Sequence, residues 1–61
     1  MKLTPRELEI VRLLARGLTN KQIAAALAIS DFTVRDHLTR VFRKAQVSSR
    51  LELITRLPLH L

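Results

Sequence analysis

Three times in 61 residues a Ser or Thr stands three positions ahead of a Glu or Gln: Thr4-Pro-Arg-Glu7, Thr19-Asn-Lys-Gln22 and Ser49-Arg-Leu-Glu52. Each is a capping box. The hydroxyl accepts from the backbone N–H three residues on, and the longer side chain reaches back to the cap's own N–H. These boxes constrain the fold more than any other feature, because each fixes where a helix begins. Pro5 suits the first helical position of the first. Ser30, ahead of Asp31, is a further cap. Together the caps predict helices over about 5–16, 20–27, 31–45 and 50–57. Gly17, the chain's only glycine, falls where the first helix should end, and a left-handed C-cap is its expected job. Pro58 should stop the fourth helix, leaving Leu59-His60-Leu61 frayed. No strand alternation, repeat or low-complexity segment interrupts this pattern, so the expected class is all-α, a compact four-helix domain.

Apolar spacing assigns the faces. Leu8, Ile10, Val11, Leu14 and Ala15 make a broad stripe on the first helix, with Glu9, Arg12 and Arg16 opposite. Ala24, Ala25 and Ala26 are small enough to let another backbone approach the short second helix. On the third, Val34, Leu38, Val41, Phe42 and Ala45 line one side. Phe32, Asp36, Thr39, Arg40 and Arg43 fall on the other, with Arg35 and His37 on the shoulders. The expected core is Ile10, Leu14, Ile23, Leu27, Ile29, Val34, Leu38 and Val41. On the fourth helix Leu53, Ile54 and Leu57 share a face that Leu51 leaves. The second and third helices are joined by only Ala28-Ile29-Ser30, which describes a helix-turn-helix.

The length suits a single domain over residues 1–61 of marginal stability, burying roughly 60% of its unfolded surface. There is no Cys, so helix packing must hold the fold without disulfide or thiolate–metal staples. The net charge is +6 and the pI near 11.5, a balance suited to a polyanionic partner. The longest apolar run, Ile23 to Ile29, falls far short of the roughly 20 residues of a membrane span. Met1-Lys-Leu-Thr-Pro5 has no signal-peptide core, and a cytoplasmic location is expected. Catalysis is not expected: His37 has no nucleophile–base–orienter set around it, and His60 lies in the tail. Asp31, Asp36 and His37 lack metal-site spacing, so neither metal nor cofactor is called for.

Leu3-Thr-Pro-Arg-Glu7, Gly17-Leu-Thr-Asn-Lys-Gln-Ile-Ala24, Ile29-Ser30, Thr33-Val34, His37 and Val47-Ser-Ser-Arg50 together resemble the LuxR-type (GerE-type) DNA-binding domain of bacterial transcription regulators. The resemblance covers nearly the whole chain, and the order and spacing of the pieces carry it. It implies a four-helix domain with the third helix in the major groove and the fourth supplying a dimer contact. It also implies a sensing or receiver domain as working partner, and no part of this chain resembles one. One residue departs from the family: the turn that often holds Gly has Ala28. A positive φ there would cost alanine on the order of 1 kcal/mol more than glycine.

A docked helix inserts its N-terminal half, so base reading is expected from Phe32, Arg35, Asp36 and Thr39. The resemblance implies the same for Arg35, Asp36 and Thr39. Arg35 can fork onto guanine O6 and N7, Asp36 can accept from cytosine N4 or orient a neighbouring Arg, and Thr39 can touch a thymine methyl. For Phe32 three roles stay open: folding back onto the domain, a thymine methyl, or a partner chain. Phosphate contacts are expected from Thr19, Asn20 and Lys21 at the second helix's N-terminus, and from Thr33, His37, Arg40, Arg43 and Lys44. Arg6, Arg12, Arg16 and Arg56 read as solvated surface. Leu51 and Ile54 are dimer candidates, with packing of Leu51 on the Val47 loop as the alternative. The expected function is sequence-specific binding of double-stranded DNA by a homodimer, for transcription regulation. The competing readings are a helical protein-interaction module and a cationic membrane-active peptide, the latter disfavoured by the absence of Trp and Tyr.

Overall fold

The structure, a computed structural model, describes residues 2–56. Four helices follow in order: α1 Pro5–Ala15, α2 Asn20–Leu27, α3 Asp31–Ala45 and α4 Arg50–Arg56. Among the described residues there is no strand. The expected continuation of α4 to Leu57, its stop at Pro58 and the Leu59–Leu61 tail lie outside the described residues.

The first two capping boxes close in both directions. Glu7 N–H donates to Thr4 Oγ1 at 3.1 Å and Thr4 N–H to Glu7 Oε1 at 2.9 Å. The Thr19–Gln22 pair repeats the same two bonds, at 3.1 and 2.9 Å. Ser30 caps α3 by accepting from Thr33 N–H at 3.0 Å. The fourth start differs from a closed box. Ser49 Oγ accepts from Glu52 N–H, but the Glu52 carboxylate turns to the N–H and hydroxyl of Ser48, each at 3.2 Å. The cap is therefore shared by two serines.

Among the described residues three take the left-handed region. Gly17, at φ +94°, turns the chain after α1, which ends at Ala15, one residue earlier than expected. Ala28 (φ 57°, ψ 43°) ends α2, so alanine does carry the conformation the turn demands. Gln46 (φ 56°, ψ 45°) ends α3 without any sequence signal for it. Its neighbour Val47 closes that end by donating to Phe42 C=O at 3.1 Å.

The core is built on α3, which packs against each of the other helices. Ile10, Val11 and Leu14 of α1, Ile23 and Ala24 of α2, Val34, Leu38, Val41 and Ala45 of α3, Val47, and Leu53 of α4 are buried together. Leu27 and Ile29, expected as core, are only half-buried at its edge, and Leu8 and Ala15 of the stripe on α1 are also only half-buried. Of the three alanines of α2 only Ala24 meets another element closely enough to be buried. Among the described residues one charged residue is buried. Glu7 is 2% exposed and holds Lys44 Nζ at 2.7 Å.

Candidate nucleic-acid interface

The short α2, the left-handed Ala28 and the Ser30 cap fix how α3 leaves the core. Ile29 N–H donates to Ala24 C=O at 2.9 Å, tying the turn back onto α2. With Val34, Leu38, Val41 and Ala45 buried, the opposite side of α3 faces outward along its length. Phe32, Arg35, Asp36, Thr39, Arg40, Arg43 and Lys44 are all exposed there or on its flanks.

These side chains are not all free. Arg40 Nη2 lies 3.0 Å from Asp36 Oδ2, one turn apart, so the Asp36 carboxylate is directed at Arg40. Thr39 Oγ1 donates to Arg35 C=O at 2.9 Å, which engages its hydrogen. Thr33 Oγ1 lies 2.9 Å from Ser30 Oγ. Lys44 is bonded to Glu7, and that bond first, then the Thr4 N–H, hold the Glu7 carboxyl below the usual carboxylate range against the effect of burial. His37 is half-buried with Nδ1 enclosed and unpartnered, as is Asn20 Oδ1. Thr19 and Lys21 are exposed at the start of α2, the Thr19 hydroxyl accepting from Gln22 N–H.

A cleft of about 280 Å³ brings Asn20, Arg35 and Thr39 together with Arg50. The last was not among the sequence candidates. Arg50 Nη2 donates to Leu18 C=O at 2.7 Å, joining the start of α4 to the connection before α2. A separation of 32 residues leaves no local signal for that bond. Of the surface arginines, Arg6 pairs with Glu9 at 3.7 Å, and Arg12, Arg16 and Arg56 are exposed. Phe32 is 77% exposed, so it does not fold back onto the domain. Leu51 is 72% exposed, so it does not pack on the Val47 loop; Ile54 is half-buried.

A capped, cationic helix presented by a short helix and a tight turn defines a helix-turn-helix domain, the fold of a DNA-binding class of transcription regulators. Residues 1–57 match the family described as bacterial regulatory proteins, luxR family (GerE), and the chain belongs to that family. It is 51% identical over 49 residues to the nitrate/nitrite response regulator protein NarP of Escherichia coli, covering 80% of this chain and 23% of NarP. It is 48% identical over 52 residues to a Mycobacterium bovis protein described as an HTH-type transcriptional regulator, covering 85% of this chain and 6% of that protein. A crystal structure of the response regulator ChrA, of a heme-sensing two-component system, superposes with a TM-score of 0.88 at 43% identity, covering 92% of this chain and 28% of ChrA. The chain thus spans a quarter or less of the length of NarP and of the mycobacterial regulator.

Proposed function

We propose that residues 1–61 form a single luxR-type domain that binds double-stranded DNA sequence-specifically, with α3 in the major groove, and regulates transcription. One observation carries this reading: the outward side of α3 gathers Arg35, Thr39, Arg40 and Arg43 while Val34, Leu38, Val41 and Ala45 on its other side are buried. Arg35 is the principal base reader, forking onto guanine, with Asp36, Thr39 and Phe32 beside it. Thr19, Asn20, Lys21, Thr33, His37, Arg40 and Arg43 grip phosphates. With Nδ1 enclosed, His37 would donate from Nε2. Lys44 is left out of this set, because its ammonium already serves Glu7.

The functional unit is a homodimer in the cytoplasm, joined through the exposed Leu51 and the half-buried Ile54 of α4, on half-sites about 10 bp apart or a multiple of it. The response regulators among its relatives support a sensing or receiver domain as working partner.

A salt titration on specific and random duplexes tests the DNA reading. Neutralising about six phosphates gives a slope of log K against log salt near −5. Arg35→Ala should weaken the specific duplex and spare the random one. Equal weakening of both would remove Arg35 from base reading, and no binding at low salt would sink the proposal.

A further inference from the structure

Phe32 is the second residue of α3, with a ring 77% exposed and outside the hydrophobic core. None of the described residues buries it. It stands roughly 150° around the helix from the buried side and about 60° from Arg35, one turn on. Thr39 lies two turns along almost the same line, about 20° away. Arg35, Arg40 and Arg43 stand on this side with Asp36, which lies one turn from the ring and pairs with Arg40 at 3.0 Å, so cations outnumber the carboxylate there. A second copy of the chain seated on the ring would oppose two cationic faces, so charge selects a polyanion instead. In the major groove of a polyanionic duplex, the apolar group open to such a ring is the thymine 5-methyl.

Phe32 precedes Arg35 by about 4.5 Å along the helix axis, close to the roughly 3.4 Å rise of one base pair. We infer that Phe32 reads a thymine methyl on the base pair next to the guanine held by Arg35, so that the recognised half-site contains a T·A pair beside a G·C pair. The inference rests on the proposed docking of α3. It makes Phe32 a determinant of sequence rather than of affinity for DNA in general.

The test begins by selecting bound sites from a random duplex pool with the wild-type chain. Each thymine of the enriched site is then replaced by deoxyuridine, which removes only the methyl group. The guanine of Arg35 is located as the one whose 7-deaza replacement weakens the wild type but not Arg35→Ala. One thymine replacement beside that guanine should lower wild-type affinity about fourfold, the worth of one buried methyl, and should leave Phe32→Ala unchanged. If wild type and Phe32→Ala respond alike at every thymine, or the sensitive thymine lies away from that guanine, the inference is overturned while base reading by α3 stands. A pool that yields no enriched site overturns the docking proposal itself.

Discussion

Lys44 Nζ lies 2.7 Å from Glu7 Oε1, joining the last turn of α3 to the first turn of α1 across the edge of the core. Glu7 is the only buried charged residue among those described, and its carboxylate also closes the α1 cap. Removing the ammonium leaves a buried carboxylate with the Thr4 N–H alone. Lys44→Ala should therefore destabilise the fold by about 1–2 kcal/mol, discounted for the partial exposure of the lysine. It should leave the salt slope of DNA binding unchanged, whereas Arg43→Gln should reduce that slope by about 1. Urea melts and salt titrations of the two variants read this directly.

The same pair sets an acid dependence. The folded Glu7 carboxyl is held below its ordinary range, by Lys44 first and the Thr4 N–H second. The unfolded chain therefore binds the proton more readily, and the contribution is full above the unfolded-state value, near pH 4. It is lost as pH falls through the lower folded-state value. Urea melts from pH 7 to pH 2.5 should show wild type losing more stability than Glu7→Gln in the acid part of that range. Parallel losses would show that the pair contributes nothing to acid sensitivity.

Asp36 and Arg40 form an exposed pair at 3.0 Å. Such pairs contribute little to stability, so Asp36→Asn should shift it by less than about 0.5 kcal/mol. Its effect belongs to binding. Loss of a carboxylate from the side proposed to face DNA, and release of Arg40, should tighten binding to a random duplex at low salt and narrow the gap to the specific one. Affinities measured at two salt concentrations check both changes.

Ala28 holds φ 57° at the turn before α3. Ala28→Gly removes the left-handed strain and adds freedom to the unfolded chain, two effects of opposite sign. At a position with positive φ the strain is the larger, and a net gain of about 0.5–1 kcal/mol is expected. Thermal denaturation would show a higher midpoint. A lower one would mean that the turn favours the alanine side chain.

Leu51, 72% exposed on α4, is the proposed dimer contact. Leu51→Glu should leave the monomer's stability within about 0.5 kcal/mol of wild type and abolish paired occupancy of half-sites. Sedimentation on DNA carrying two half-sites measures this, and unchanged cooperative occupancy would exclude Leu51 from the interface.

The helix starts were legible in the sequence because capping is a bond across three residues. Thr4, Thr19 and Ser30 all cap where their spacing says, and the described helix ends fall within one residue of expectation. What escaped depends on distant partners. Glu7 meets Lys44 across 37 residues, and Arg50 meets Leu18 across 32. A trace of the first was present: on a helical wheel Glu7 falls among Ile10, Val11 and Leu14, the side that is buried. Gln46 gave no sign, since glutamine is not a residue that favours a positive φ. The division of α3 into buried and exposed sides followed from periodicity alone. The engagement of Lys44 by Glu7 did not, and it changes which cations are available to a phosphate.

The caps also bear on kinetics. Each helix start described here is fixed by partners no more than four residues away, so much of the architecture is encoded in short loops of low closure entropy. Helical chains of this low contact order fold in microseconds to milliseconds. The few long ties, Glu7–Lys44 and Arg50–Leu18 among them, should form late, and breaking them should speed unfolding more than it slows folding. For this chain, stability and the speed of reaching the native state are therefore separable by mutation.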